Sequence, residues 1–237
     1  MQSAICQSIL IMGSKRQEIF ETLASKSRIK QEVYSASQGE FKQLKGVLQR
    51  IENDYSEYIK NHDERVIIKY ADTGDFSALL NFGGDVLLFY LHSNVFAFEK
   101  DHFIHEMSYV RKNRGAEYCG IVHIYNFLAD SFKYNRLNDM GFLIARIFIN
   151  ADRHFFTEGK GVFNHQYFNF GEQQLSQEYW LELVESAINY SLRFDLHVPQ
   201  YEKVQLVTLN QVKQLATNIK LPTSKRMGFK MSSRERK

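Results

Sequence analysis

The amino-acid sequence predicts an α+β fold: a mainly antiparallel sheet of about six to seven strands, with N-terminal helices over 15–61 and a long helix over 177–194 packed on it. Three observations carry this. Between residues 66 and 163 the apolar residues alternate or fall in short β-branched and aromatic blocks. Clusters of Asp, Thr, Asn and Gly separate several of those blocks at hairpin lengths. Strong helical periodicity lies before and after them. Strands in succession, rather than strands alternating with helices, select an antiparallel sheet.

At the N-terminal end, Ser14 followed by Gln17 has capping-box spacing, and Ile19, Phe20, Leu23, Ile29 and Val33 follow as an amphipathic run. Ser37 and Glu40 repeat the signal before Phe41, Leu44, Leu48, Ile51, Tyr55 and Tyr58, whose 3-4-3-4-3 spacing is the seam of a heptad. Residues 15–36 and 38–61 are therefore two helices, or one long helix bent near Gly39. The seam offers a surface for a protein partner or for self-association. Val47 and Ile59 widen it, which favours packing on a core.

The strand blocks are VIIKYA (66–71), FSALLNF (76–82), DVLLFYLHSNVFAF (85–98), YCGIVHIYNF (118–127), GFLIARIFIN (141–150) and HFFTEGKGVF (154–163). Residues 86–91 are apolar throughout, the pattern of a strand covered on both faces. DHFIHEMSYVRKN (101–113) reads as a short helix. Ser176 caps the helix lined by Trp180, Leu183, Val184, Ala187, Ile188, Ser191 and Leu192, with Pro199 beyond it. KVQLVTL (203–209) then reads as a strand, and Asn210 caps a last helix carrying Val212, Leu215 and Ile219. The organisation is a helical segment over 1–62, a sheet domain over 63–219 forming one compact unit with it, and a basic tail over 220–237.

Composition bounds the function. With 44% hydrophobic and 14% aromatic residues, the chain has material for a core and is too apolar for general disorder. Cys6 and Cys119 allow at most one disulfide, which points to the reducing cytoplasm. The apolar stretch from Ala4 to Met12 is too short to span a membrane and reads as the start of a strand or helix. The net charge of +3 is divided unevenly: residues 219–237 carry seven basic side chains and one acid, so +6, which leaves −3 for the rest. Lys225, Arg226, Phe229 and Lys230 in that tail are the candidate nucleic-acid contacts, the cations for phosphates and the ring for a base. A solvated terminus, or a strand docked on the body through Met227, Phe229 and Met231, are the alternatives.

One short motif suggests catalysis. FFTEGKGVF (155–163) places Glu158 and Lys160 two apart on a strand, hence on one face. With the helix and strand that follow, this order resembles the nucleases named for their PD-(D/E)xK motif. The resemblance covers about half the chain and implies metal-dependent cleavage, with Glu158 as a metal ligand and Lys160 at the attacking water. It also requires an Asp on the partner strand. A turn near Ala151–Asp152 puts Glu158 opposite Ala145 and Lys160 opposite Leu143, and neither is acidic. Asp139 falls about 15–20 Å away at the strand rise. Arg146, within a residue of opposite, makes a cross-strand ion pair the simpler reading of Glu158.

The remaining constellations are weaker. His102, His105 and Glu106 lack the order and third ligand of a zinc helix, so no metal and no cofactor are expected. Cys119 and His123 lie too far apart along a strand for a nucleophile and its base. Gly83-Gly84-Asp85 and Gly159-Lys160-Gly161 lack the context of a phosphate loop. The expectation is a soluble, non-enzymatic binding or regulatory module, with a PD-(D/E)xK-like enzyme acting on nucleic acid as the alternative.

Overall fold

The structure is a computed structural model of the 237-residue chain, and it describes residues 14–63, 65–164, 170–198, 200–210 and 212. The N-terminal helix runs without a break through Gly39. It comprises α1 (Ser14–Thr22), a π-helical turn (Leu23–Ser27) and α2 (Arg28–Lys60). The interruption therefore lies at 23–27, not at Gly39. There Ser25 Oγ donates to the Glu21 carbonyl oxygen at 2.6 Å, taking the acceptor that the helix ladder would use. Gly39 has nothing within 4 Å of where a Cβ would stand, and its helix-propensity cost is only about 1 kcal/mol.

Seven strands follow: β1 (Ile68–Asp72), β2 (Ser77–Phe82), β3 (Asp85–Leu91), β4 (Phe96–Ala97), β5 (Tyr118–Leu128), β6 (Phe142–Ile149) and β7 (Phe155–Gly159). The order is β1-β2-β3-β5-β6-β7, with every pair antiparallel, and β4 pairs with the start of β5. Between β4 and β5 lie a 3-10 turn (Phe103–Glu106) and α3 (Ser108–Lys112). The sheet is completed by α4 (Ala129–Lys133), a 3-10 turn (Gly161–Asn164), α5 (Gln177–Leu192) and α6 (Tyr201–Val204). The expected α+β class is thus present, and α5 starts at Ser176, whose side chain accepts from Tyr179 N.

α2 and α5 lie side by side on one face of the sheet. Phe41, Leu44, Leu48 and Ile51 are fully buried there with Leu80, Phe89, Val122, Ile147 and Trp180, while Tyr55 packs at the edge. Tyr58 is exposed. The heptad seam is consumed inside one chain, which corrects its reading as a surface for another chain. The closest approach is at Gly120 of β5, where a Cβ would stand 2.1 Å from Ser37 Oγ of α2.

The predicted strand 203–209 is not formed. Its start belongs to the single helical turn α6, and Val204, Leu206, Val207 and Leu209 are exposed. Leu215, Ile219 and the basic tail lie outside the described residues, as do Cys6 and the stretch Ala4–Met12. Among the described residues no helix is long and apolar enough to cross a membrane.

A buried carboxylate joins the layers. Glu40 of α2 is 1% exposed, and it accepts from Trp180 Nε1 of α5 at 3.1 Å and from Gln43 Nε2 at 3.0 Å. Arg153, in the β6–β7 turn, stands 3.9 Å away. Burial holds the Glu40 carboxyl above the usual carboxylate range, opposed by the Trp180 bond, the Arg153 charge and the Gln43 bond.

Two predictions follow from this packing. Glu40→Ala strands the Trp180 donor and costs about 1–3 kcal/mol in urea unfolding. The folded state favours protonated Glu40, so the group's contribution is full below the ordinary Glu pKa and is lost as pH rises through the raised one. Glu40→Gln removes that pH slope, and an unchanged slope would refute the assignment. Separately, Gly120→Ala costs about 1–3 kcal/mol through overpacking, and Ser37→Gly in the same chain restores most of it. Failure of the second change to rescue the first would place the clash elsewhere.

Candidate functional site on the open sheet face

Among the described residues, the face of the sheet opposite α2 and α5 is covered at its ends. At one end Ile104, Val110, Ala116, Cys119, Ile121, Phe148, Phe156 and Phe170 form a second core. At the other, Phe127 meets Phe132 of α4 edge to face at 5.5 Å, and Gly141 packs on the Phe127 ring. A window remains between them.

Strand register fills that window. Ser77, Tyr90, His123, Arg146 and Glu158 are successive partners across β2, β3, β5, β6 and β7. The adjacent row is Ala71, Leu79, Leu88, Tyr125 and Leu143. Side chains alternate along a strand, so each row points to one face. Ile144, the extra residue of a bulge, keeps both rows on this side: Ala145 pairs with Ile124, and Leu143 with Tyr125.

The rings form a continuous strip. His92 lies 4.7 Å from Phe96 and 6.4 Å from His123, Tyr90 lies 6.1 Å from His123, and Tyr125 stacks on His123 at 5.8 Å and 15°. Tyr90, His123 and Tyr125 are half-buried, so they offer ring faces without being lost in a core. Burial, then the Arg146 charge and His92, push the His123 pKa down, and its Nδ1 is buried without a hydrogen-bond partner. His102 stacks on Phe98 at 4.5 Å, and burial is the first cause of its own lowered pKa. Burial thus disfavours the imidazolium form at His123 and His102.

Arg146 is the register partner of Glu158 and pairs with its carboxylate, one residue from the position expected by turn counting. β7 ends at Gly159, Lys160 N donates to the Ile144 carbonyl at 2.9 Å, and the chain turns at Gly161 (φ +59). A Cβ at position 159 would stand 2.4 Å from the Ile144 oxygen, so the two backbones approach closely there. The place opposite Glu158 is held by Arg146 and not by an acid, and Ala145 pairs with Gly159, buried in the core. Asp139 is bonded instead to Ser131 at 2.7 Å. Cys119 is buried, and its thiol pKa is pushed up. His102 caps the 3-10 turn, and His105 Nε2 faces the Phe98 carbonyl at 3.4 Å. Among the described residues no three His, Cys, Asp or Glu are grouped to hold a metal ion.

Tyr90, His92 and Tyr125 did not stand out in the sequence. Their parity was readable, but the apolar run at 86–91 pointed to two covered faces. In the structure Val86 is buried, while Leu88 and Tyr90 are only half-buried. Lys225, Arg226, Phe229 and Lys230 lie outside the described residues. No protein-family model matches the chain, and no curated protein or solved structure matches it either.

The electrostatics can be read by NMR titration. His123 titrates below the ordinary His value, and Arg146→Ala moves it up but not past that value, because burial is the larger cause. With its folded pKa lowered, His123 contributes stability that is present above the unfolded value and lost as pH falls through the folded one. A midpoint at or above the ordinary value would contradict the geometry.

Proposed function

We propose that the chain is a non-enzymatic binding module that holds single-stranded nucleic acid on the sheet window. The observation that supports this most directly is the in-register row Tyr90–His123–Arg146 with Tyr125 stacked beside it. Bases stack on aromatic faces whatever their sequence. Arg146 supplies a cation beside the rings. The tail, with Lys225, Arg226 and Lys230 for phosphates and Phe229 for stacking, adds the electrostatic attraction that a body of charge −3 lacks.

Fluorescence anisotropy with a labelled single-stranded oligonucleotide of about 15 nucleotides tests this. Wild type binds at low salt and weakens steeply as salt rises. Tyr125→Ala costs about 1–3 kcal/mol, and truncation before Lys220 flattens the salt dependence. Wild type that fails to bind at low salt overturns the proposal. The alternative, a metal-dependent enzyme acting on nucleic acid through Glu158 and Lys160, is kept by the Glu158 carboxylate, 56% exposed at the window's rim. Cleavage with Mg²⁺ or Mn²⁺ that disappears in Glu158→Ala would put that reading in place of the first.

A further inference from the structure

We infer that the ring strip continues into a groove that takes the sugar-phosphate backbone of the bound strand, with Lys30 on a phosphate. This rests on the reading of the window as a single-strand site. The groove, of about 620 Å³, lies between α2 and the β3–β4 loop, and Lys30, Tyr34, Asn94 and Phe96 are among its walls. Phe96 joins the two places. It is 37% exposed, it lines the groove, and its ring meets His92 edge to face at 4.7 Å within the strip. Asn94 N donates to His92 Nδ1 at 3.0 Å, which ties the groove's loop to the same ring. β4 is two residues long and pairs with β5, and among the described residues no strand pairs with its other edge.

The groove has the chemistry that the window lacks. Tyr90, His123 and Tyr125 offer ring faces, but the cation beside them, Arg146, is paired with Glu158. Lys30 has no acidic partner among the described residues, and its Nζ stands over the Tyr118 ring at 5.7 Å. Glu32, two residues on, pairs with Arg28 at 3.0 Å, and among the described residues no Asp or Glu lines the groove. The Tyr34 hydroxyl accepts from Gln38 Nε2 at 3.0 Å, which leaves its own O–H to donate. Gln31, Ser93 and Asn94 add neutral donors. A cation without a counter-charge, set among neutral donors, suits a phosphodiester and rejects a cationic ligand. On a body of charge −3 such a contact fixes where the backbone lies, while the tail draws the strand in.

Fluorescence anisotropy of the full chain with a labelled single strand of about 15 nucleotides tests this through three variants. They are Lys30→Ala, Lys30→Arg and Lys42→Ala, the last an exposed lysine farther along α2 and outside the groove. Lys30→Ala is expected to weaken binding about fivefold at low salt. It also lowers the slope of log K against log salt by about 0.7, the share of one phosphate on a single strand. Lys30→Arg keeps both the affinity and the slope, and Lys42→Ala changes the affinity less than about twofold. Wild type that does not bind overturns the single-strand reading and this inference with it. Binding that Tyr125→Ala weakens and Lys30→Ala leaves unchanged overturns this inference alone, as does an equal loss in Lys30→Ala and Lys42→Ala.

Discussion

The architecture depends on how the Glu40 carboxyl group is satisfied inside the core. A carboxylate cannot be buried without partners, and Glu40 draws them from two further elements: Trp180 of the second long helix and Arg153 of the β6–β7 turn. Those contacts fix where α5 lies beside α2 and where the hairpin ends beneath them. Arg153 itself adopts a left-handed backbone (φ 63), a conformation usually left to Gly or Asn. Its guanidinium reaches Glu40 from that position, so the strained turn and the buried acid support each other.

The consequence for function is one covered face and one partly covered face. Two long helices occupy the first. Among the described residues the other receives the 3-10 turn, α3 and Phe170 at one end, and α4 at the other. The rows between them carry Tyr90, His123, Tyr125 and Arg146 because the register across β3, β5 and β6 brings them level, with a bulge at Ile144 holding the alternation. β7 ends at Gly159, and Lys160 N still donates to the Ile144 carbonyl. One backbone irregularity thus keeps both rows of the aromatic window on one face.

Local signals read well and non-local ones did not. The Ser176 cap, the hairpin around Asn150–Arg153 and the blocks at 68–72, 77–82 and 118–128 follow from turn chemistry and alternation, which a chain writes along itself. The heptad of Phe41 to Tyr58 was legible as a seam, but its partner was not, because a core and a second helix impose similar spacing. KVQLVTL has strand propensity, yet no edge within the chain takes it, and propensity without a pairing partner does not make a strand. The window was hidden because its residues come from separate strands and meet only through register. The Arg146–Glu158 pair was within reach of turn counting, since the two lie on adjacent strands of one hairpin.

The measurement that tests the central claim most directly is a map of amide shifts in the full chain as a single-stranded oligonucleotide is added. The account predicts perturbations concentrated on β3, β5 and β6 around Tyr90, His123, Tyr125 and Arg146, together with the basic tail. Shifts confined to the tail, or to the α2–α5 side of the sheet, would contradict it.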